Sequence, residues 1–310
     1  MSNTLQWIAG LLIIVLLIVF GREHFSSTPA PAAATAPSHL IDWAPVEKAM
    51  GKAGAIQSDG VLKFGFPRTD LKVMIGDLQL KPTFALGGWV ALKQMGDEAV
   101  LMGDLVLSED ELNPVMTALQ QGGIDQTAIH NHLLGELPHV MYMHIYGHGD
   151  PVKMAESIHT ALALTKIPLT PSNATSASGQ DLGLDTKELD QILGHSGKVN
   201  NGVYQFSIPR AEKIMAHGFE IPPSMGVATA INFQATADGK AMITGDFVLI
   251  GSEVNSVLRA LRENGIEVTA LHSHMLSEEP RLFFMHFWAS DDAQKLARGL
   301  HSALNQMNIK

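Results

Sequence analysis

The chain has 310 residues, of which 46% are hydrophobic, and this is enough apolar material for one large or two modest globular domains. Its formal net charge is −10 and it has no cluster of Lys or Arg, which argues against a nucleic-acid partner, because phosphate binding depends on basic residues. It contains no cysteine, so disulfides, thiolate nucleophiles, Cys-ligated metals and a lipid-modified cysteine are excluded.

An apolar block runs from Trp7 to Phe20 near the N-terminus and is followed by Arg22. Its length lies between that of a signal-peptide core and that of a spanning helix of about 20 residues. We predict that residues 1–21 form an uncleaved membrane anchor, with secretion after signal cleavage as the alternative. Residues 22–40 are rich in Pro, Ala and Ser and predict an extended tether. This arrangement predicts a cell-membrane protein with a periplasmic globular part.

The rest of the chain is a tandem duplication. Adding 142 to a residue number gives its counterpart, without a gap, from the pair Ala99/Ala241 to the pair Ala163/Asn305. Such self-similarity outweighs most local signals when a fold is predicted. We expect repeat 1 at 41–167 and repeat 2 at 186–310, joined by a linker at 168–185 that is rich in Pro, Ser and Gly. The copies are expected to form an internal pseudo-dimer in a monomeric protein.

Each copy shows the same succession of sequence patterns. In repeat 1, GWVALKQ and EAVLMGDLVL predict strands, and SEDELNPVMTALQQGG predicts an amphipathic helix with a capping box formed by Ser108 and Glu111. TAIHNHLL and HVMYMHIY predict strands around a tight turn at GELP, and a second helix is predicted to begin at Asp150 and Pro151. The order ββαββα predicts an α+β, ferredoxin-like unit with antiparallel sheets and helices on one face.

The predicted hairpin collects histidines on one face. Side chains alternate along a strand, so His130 and His132 share the face on which Tyr142 and His144 lie, away from the helices. A turn centred near Glu136 and Leu137 places His130 opposite His144, and Glu136 supplies a carboxylate from the rim. Because the constellation recurs in the second copy, we predict one metal site in each repeat. The expected ligands are His130, His132, Glu136 and His144 in repeat 1, and His272, His274, Glu278 and His286 in repeat 2.

Two aspartates precede these hairpins in a repeated GD motif. Asp104 and Asp246 are predicted to orient a ligating histidine, and the alternative is a strand-end residue that hydrogen-bonds the turn. Three nitrogens and one oxygen suit a divalent transition metal, with zinc expected first and Cu, Ni, Mn or Fe also compatible. A different interpretation of the histidines is a polar network that joins the two copies without an ion.

The segments TAIHNHLLGELPHVMYMHIYGHGD and TALHSHMLSEEPRLFFMHFWASDD, with their GD-VL lead-ins, resemble the LppY/LpqO family of exported lipoproteins, which is built around a domain of unknown function. The resemblance covers both copies from Leu40 onward. The lipobox cysteine of that family is missing here, so lipid anchoring is excluded. The resemblance implies no reaction.

Three functions are compatible with these features. The first is a membrane-tethered, extracytoplasmic metal-binding protein for storage, sensing or delivery. The second is a metal-dependent enzyme with a cupin-like ligand set, a hydrolase or oxygenase, in which an open position on the ion polarises substrate or activates water. The third is a metal-free structural or ligand-binding module, whose aromatic-lined face receives a small apolar molecule. The patterns leave open whether the protein is an enzyme.

Overall fold

The computed structural model describes residues 40–169 and 181–310. Both repeats belong to one compact unit. The elements of repeat 1 are α1 (Ala44–Met50), β1 (Ala55–Ile56), β2 (Leu62–Pro67), β3 (Met74–Ile75), β4 (Leu78–Gln79), α2 (Pro82–Ala85), β5 (Gly87–Met95), β6 (Glu98–Ser108), α3 (Glu109–Gln121), β7 (Asp125–His130), β8 (Glu136–Leu137), β9 (Val140–Gly149) and α4 (Pro151–Leu162). The elements of repeat 2 are α5 (Thr186–Leu193), β10 (Lys198–Asn200), β11 (Val203–Pro209), β12 (Met215–Ala216), β13 (Phe219–Glu220), a 3-10 turn (Pro223–Met225), β14 (Ala228–Ala235), β15 (Ala241–Ile250), α6 (Val254–Glu263), β16 (Glu267–His272), β17 (Leu282–Asp291) and α7 (Ala293–Leu304).

Each repeat contains one six-stranded antiparallel sheet. The strand order is β1-β2-β5-β6-β9-β7 in repeat 1 and β10-β11-β14-β15-β17-β16 in repeat 2. This confirms the predicted α+β class, the antiparallel sheets and the two repeated halves. The finer description as a ferredoxin-like unit stays a prediction, as do the repeat boundaries. Most of the predicted linker, residues 170–180, lies outside the described residues.

Local sequence signals set where the helices begin. The backbone N–H of Ser108 donates to the Glu111 carboxylate over 3.0 Å, as the capping box predicts. Helix α4 begins at Asp150, whose Oδ1 accepts from the N–H groups of Val152 and Lys153 at 2.9 and 3.1 Å. The apolar faces of α3 and α4 pack onto one face of the repeat 1 sheet.

The face of each sheet that the helices leave free packs against the other repeat. On the helix side, Val115 and Leu119 of α3 share a buried core with Met143 of β9. On the opposite side, Met102 of β6 lies in one buried cluster with Phe284 of β17. A second such cluster contains Tyr142 and Met242, one from each repeat. The histidine-bearing face is therefore turned away from the helices, as predicted, but it is buried between the two sheets.

A buried ion pair links the end of strand β2 to the start of helix α3. The Arg68 side chain is fully buried, and its Nη1 donates to Glu111 Oε2 over 2.6 Å and to the Val106 carbonyl oxygen over 2.9 Å. Repeat 2 contains the same arrangement, in which Arg210 contacts Glu253 at 2.7 Å. A buried charge of this kind is tolerated only beside its partner. Without the partner, the charge would lose its hydration and gain no interaction in exchange.

The anchor predicted for residues 1–21 and the tether predicted for residues 22–40 fall almost entirely outside the described residues. No helix among residues 40–169 and 181–310 is long and apolar enough to cross a bilayer. A membrane span needs about 20 apolar residues. Helix α3 has 13 residues in total and is amphipathic. The prediction of a membrane-anchored periplasmic protein is corrected accordingly, since no described element provides its span.

We expect the substitution Arg68→Met to lower the free energy of unfolding by about 3–5 kcal/mol, because it leaves the buried Glu111 carboxylate without its cationic partner. Urea denaturation monitored by circular dichroism measures this loss. The control is Lys213→Met, which breaks an exposed pair with Glu220 and should change the free energy by less than about 1 kcal/mol. Equal effects of the two substitutions would contradict the assignment.

Candidate metal centre

Strands β7 and β9, which carry the histidines, pair in a different register from the one that the sequence predicts. His130 lies opposite Tyr142, and His144 lies opposite Ala128. The predicted pairing of His130 with His144 is thus wrong by two residues. Strand β7 ends at His130, and the following residues 131–139 form a loop in which β8 pairs with β3 instead of closing a tight turn. His130 and His144 still share a face, because a shift of two residues preserves the alternation of side chains.

The histidines of the two repeats meet in one place. The ring centroids of His130 and His272 are 3.7 Å apart, those of His132 and His286 3.8 Å, and those of His144 and His274 3.6 Å. Each of these contacts joins the two repeats. Exchanging every residue for its counterpart 142 positions away maps the three contacts onto one another, so the cluster has an approximate twofold axis. We call these six side chains the histidine centre.

Aromatic neighbours from the same hairpins fix the planes of two of these rings. The rings of His132 and Tyr142 stack at 3.4 Å, and those of His274 and Phe284 stack at 3.6 Å. Tyr142 is itself held by a 2.7 Å hydrogen bond from its hydroxyl to the Ala85 carbonyl oxygen. The imidazoles are therefore positioned by packing before any ligand binds.

The Nε2 atoms of all six histidines are buried and have no hydrogen-bond partner among the described residues. One tautomer is set by the backbone: His286 Nδ1 lies 3.1 Å from the Gly245 carbonyl oxygen, to which it can only donate. The Nε2 atom of that ring then carries a free lone pair, which is the form that binds a metal. Buried nitrogen atoms without partners are rare in folded proteins, so they point to a missing ligand.

Two overlapping groups of histidines have ligand atoms within 4.8 Å of one another. The first is a three-histidine group from repeat 1, and the second is a four-histidine group that joins the repeats; His130 belongs to both. Their members are His130, His132 and His144 in the first group, and His130, His272, His274 and His286 in the second. Three ligands leave an open position on a tetrahedral ion, whereas four ligands close it.

The two aspartates of the GD motif lie at the edge of the histidine centre. Asp104 Oδ1 is 3.7 Å from His144 Nε2, and Asp246 lies 3.9 Å from Nδ1 of both His274 and His286. These distances are too long for hydrogen bonds, and the Oδ1 atom of each aspartate has no partner among the described residues. The predicted role of these carboxylates in orienting histidines stays a prediction.

The two glutamates predicted as ligands lie in the loops and belong to neither histidine group. Glu278 Oε1 accepts from the Leu282 N–H over 2.9 Å, and the guanidinium of Arg281 is 3.3 Å from Oε2. Glu136 Oε1 lies 3.8 Å from Nδ1 of the neighbouring His139. Strand β8 pairs with β3, which holds Glu136 in the loop, so the assumed tight turn does not form. A ligand role for either carboxylate stays untested.

Burial sets the charge state of the centre. It lowers the pKa of His130 to about 3, with a further contribution from the neighbouring His272. It raises the pKa of Asp104 to about 7, against the attraction of Lys63. The pKa of Asp246 is raised well above its ordinary value by burial and by repulsion from Asp104. Without a metal the imidazoles are neutral at pH 7, and neutral imidazole is the ligand that metals require.

Sequence reasoning missed Lys63, a partly buried cation near Asp104. Its Nζ donates to the Ser224 carbonyl oxygen over 2.8 Å and lies 4.1 Å from the centre of the Trp89 ring. Burial lowers its pKa to about 8, opposed by Asp59 and Asp104. Comparison of the two repeats offered a signal for this residue, because the position of repeat 2 that corresponds to Lys63 holds the uncharged Gln205. Lys63 therefore distinguishes the two halves of the site.

The glycine of the GD motif allows two strands to approach closely beside the aspartate. A Cβ atom on Gly245 would lie 2.0 Å from the Ala230 carbonyl oxygen of the neighbouring strand, and one on Gly103 would lie 2.9 Å from that of Trp89. Either contact would push the strands apart. In the GD motif, the glycine therefore permits a close contact between two strands. The aspartate that follows it places a carboxylate at the edge of the histidine centre.

We expect Gly245→Ala to lower the free energy of unfolding by about 1–3 kcal/mol, because the added methyl group would overlap backbone on β14. The matched control is Gly65→Ala, also on a strand, where an added Cβ meets no atom within 4 Å. Denaturation midpoints in urea measure both effects. If the two alanines are equally tolerated, the close approach inferred at Gly245 is wrong.

We also expect the metal-free protein to lose stability as the pH falls below 6.5. The pKa of His130 in the folded protein lies far below the ordinary value of 6.5, so in this range the unfolded chain takes up protons first. Each histidine protonated only when unfolded lowers the free energy of unfolding by about 1.4 kcal/mol per pH unit. Urea titrations in EDTA between pH 7 and about pH 4 measure the free energy of unfolding. This free energy should depend less steeply on pH in the His130→Gln/His272→Gln variant. An unchanged pH dependence would contradict the buried, neutral state.

Three solved structures are similar to the chain, all at low identity. They are the trimeric bacterial microcompartment shell protein PduB (12% identity, covering 82% of this chain and 90% of that one, TM-score 0.22), EtuB from Clostridium kluyveri (10%, 81% and 88%, 0.19) and the ethanolamine utilization protein EutL from Leptotrichia buccalis C-1013-b (10%, 67% and 79%, 0.17). With TM-scores this far below 0.5, nothing about assembly or location follows from them. No curated protein matches the chain.

A protein-family model does match most of the chain. The family described as "Domain of Unknown Function (DUF1259)" matches residues 44–164 and 187–306, one segment in each repeat. The predicted membership of the LppY/LpqO family is therefore wrong: the histidine hairpins that suggested it lie inside the two matched segments. Through these two copies, the chain belongs to the family of the Domain of Unknown Function (DUF1259).

Proposed function

We propose that this protein binds a divalent transition metal at the histidine centre, which both repeats build together. The observation that carries the proposal is the set of six buried Nε2 atoms without partners. A buried polar atom left unpaired costs about 1–3 kcal/mol, so six would cost about 6–18 kcal/mol. That is comparable with the whole stability of a native protein, about 5–15 kcal/mol. A shared cation would offset this cost by binding the free lone pairs.

A metal-free polar network explains the centre less well. Such a network needs N–H groups of some rings to donate to nitrogen atoms of others, with the ring edges facing each other. Here the rings meet face to face: His132 and His286 are inclined by 23°, and His144 and His274 by 20°. Stacked imidazoles cannot exchange hydrogen bonds through their faces, so the network would leave its members unsatisfied.

The ligand chemistry favours zinc and its neighbours over magnesium or calcium. The ligand atoms of both groups are imidazole nitrogens, whereas Mg²⁺ and Ca²⁺ prefer oxygen ligands. Zinc accepts three or four imidazoles in tetrahedral geometry without redox chemistry, and we take it as the first ion to test. The carboxylates of Asp104 and Asp246 stand close enough to balance part of the charge of the ion.

The three-histidine group supports a second candidate function, that of a metal-dependent enzyme. An ion held by His130, His132 and His144 would keep one position free for water or substrate. A water molecule on such an ion loses its proton near neutral pH and becomes a nucleophile. The four-histidine group supports a closed site that stores the ion or stabilises the fold. The stoichiometry and the coordination number of the bound ion separate these two functions.

The proposal is tested by elemental analysis of the full-length chain, purified without added metal and again after EDTA treatment and dialysis against ZnCl₂. We expect one or two ions per chain, since the two groups share His130. His130→Gln/His272→Gln should lose most of the bound zinc, because it removes a ligand from each group. A native chain that takes up no zinc, nickel, copper or iron would overturn the proposal.

The matched control is His148→Gln, which removes an exposed histidine that pairs with Glu98 outside the centre. Its metal content should equal that of the unmodified chain, and circular dichroism should show that each variant is folded. Zinc should also raise the melting temperature of the unmodified chain, because a ligand at about 100 times its Kd stabilises the folded state by about 2.7 kcal/mol. A folded double variant that keeps its full metal content would place the metal elsewhere.

A further inference from the structure

A cavity of about 100 Å³ lies between the two repeats beside the histidine centre. Most of its lining is apolar and comes from both repeats. Six of the residues that surround it are Met102, Tyr146, His217, Phe219, Met275 and Leu276. For scale, an apolar cavity of about 150 Å³ in another protein binds benzene. This space is smaller but open at one end, so a branched chain, or a small ring that extends into the mouth, suits it.

Beside the cavity lies a smaller space that borders the histidine centre. This space of about 10 Å³ is lined by His144 and His274, one from each repeat. The two spaces share Met102 and Met275 among their lining residues. The smaller space has room for about one water molecule or one ligand atom. Only the side chains shared by the two linings, such as Met102 and Met275, separate a molecule in the cavity from the space beside the imidazoles.

The outer end of the cavity is open and carries polar groups. Leu276 is 69% exposed there. His217 stacks on the Tyr146 ring at 4.7 Å, and Ser277 Oγ lies 3.0 Å from His217 Nε2. His217 has a backbone φ of 49°, in the left-handed region that non-glycine residues rarely adopt. Strain of this kind persists where the surrounding structure fixes a side chain in a required position.

The corresponding region on the other side of the approximate twofold axis has a different lining. Trp288 replaces Tyr146 there and packs edge-on against Phe84 at 6.1 Å. Thr269 donates a hydrogen bond to the His132 carbonyl oxygen, whereas its counterpart Thr127 lines the cavity. The two sides of the axis therefore differ in their lining residues, and this cavity lies on the side of β12 and β13 of repeat 2.

We propose that this cavity binds a small neutral molecule with an aromatic or branched apolar body and one hydroxyl or carbonyl group, whose oxygen reaches the metal in the histidine centre. The apolar lining of the cavity selects the body, and the smaller space lined by His144 and His274 selects the polar end. The carboxylate of Asp125 beside the cavity and the net charge of −10 disfavour an anion. The metal contact rests on the proposed function, whereas binding in the cavity does not.

Phenol is the probe, because it combines one ring with one hydroxyl group. Its binding to the full-length chain is measured by isothermal titration calorimetry, with and without bound zinc. Ala216→Phe adds volume at the cavity wall and should weaken phenol binding at least about tenfold. Because a buried substitution can disturb folding, Leu276→Trp at the exposed mouth is the second variant and should also weaken binding.

The matched control is Leu134→Trp, an exposed leucine at the corresponding position of repeat 1 and outside the cavity. It should bind phenol like the unmodified chain. Equal phenol affinity in all folded variants, or no binding to a zinc-loaded native chain, would overturn the cavity proposal while the metal proposal stands. Phenol binding by a chain that takes up no metal would instead overturn the proposed function and the metal contact.

Cobalt substitution tests the contact with the metal itself. In the Co(II)-loaded chain, phenol should shift the visible absorption bands of the ion, because its oxygen enters the coordination shell. Leu134→Trp should show the same shift, and Leu276→Trp should require more phenol to reach it. A spectrum that phenol leaves unchanged, despite calorimetric binding, would show that the molecule does not reach the ion and would overturn that part of the proposal.

Discussion

The candidate site depends on the burial of six histidine Nε2 atoms between two sheets. The apolar clusters around Phe284 and Tyr142 pack the repeats together, and this packing removes water from the histidine nitrogens between them. Desolvation keeps the rings neutral, and neutral imidazoles with free lone pairs are unsatisfied until a cation binds. Under the proposed function, metal binding and the association of the repeats would be coupled, because a ligand pair that spans the interface, such as His130 and His272, would stabilise both.

Duplication gives this site twice the histidines of one hairpin, and sequence differences between the copies make its two sides different. The contacts of His144 with His274 and of His132 with His286 are equivalent under the approximate twofold axis. Lys63 and Tyr146, however, correspond to Gln205 and Trp288. The side with Tyr146 borders a cavity, and the side with Trp288 is packed. A symmetric ion-binding centre can in this way acquire a single direction of approach for a second molecule.

The sheets position the centre through contacts that carry no metal chemistry. Glycine at position 245 lets β14 and β15 approach so closely that Asp246 projects beside the histidines. The pairs of Arg68 with Glu111 and of Arg210 with Glu253 fix the first turn of a helix against each sheet. Because these contacts are buried and hydrogen-bonded, they define one arrangement of the strands. The positions of the imidazoles follow from that arrangement.

The sequence alone determined the duplication, the α+β class, the helix starts at Ser108 and Asp150, and the face on which the histidines lie. These follow from local periodicity and capping, which act over a few residues. Only the tertiary structure decided that His130 lies opposite Tyr142, that Glu136 stays in its loop, and that the two histidine sets form one centre. The pairing of β8 with β3 and the packing of one sheet on the other join residues far apart in the chain, and no local pattern encodes such contacts. The alternation of side chains along a strand predicts that the histidines lie on the face away from the helices. It does not predict that the other repeat covers that face.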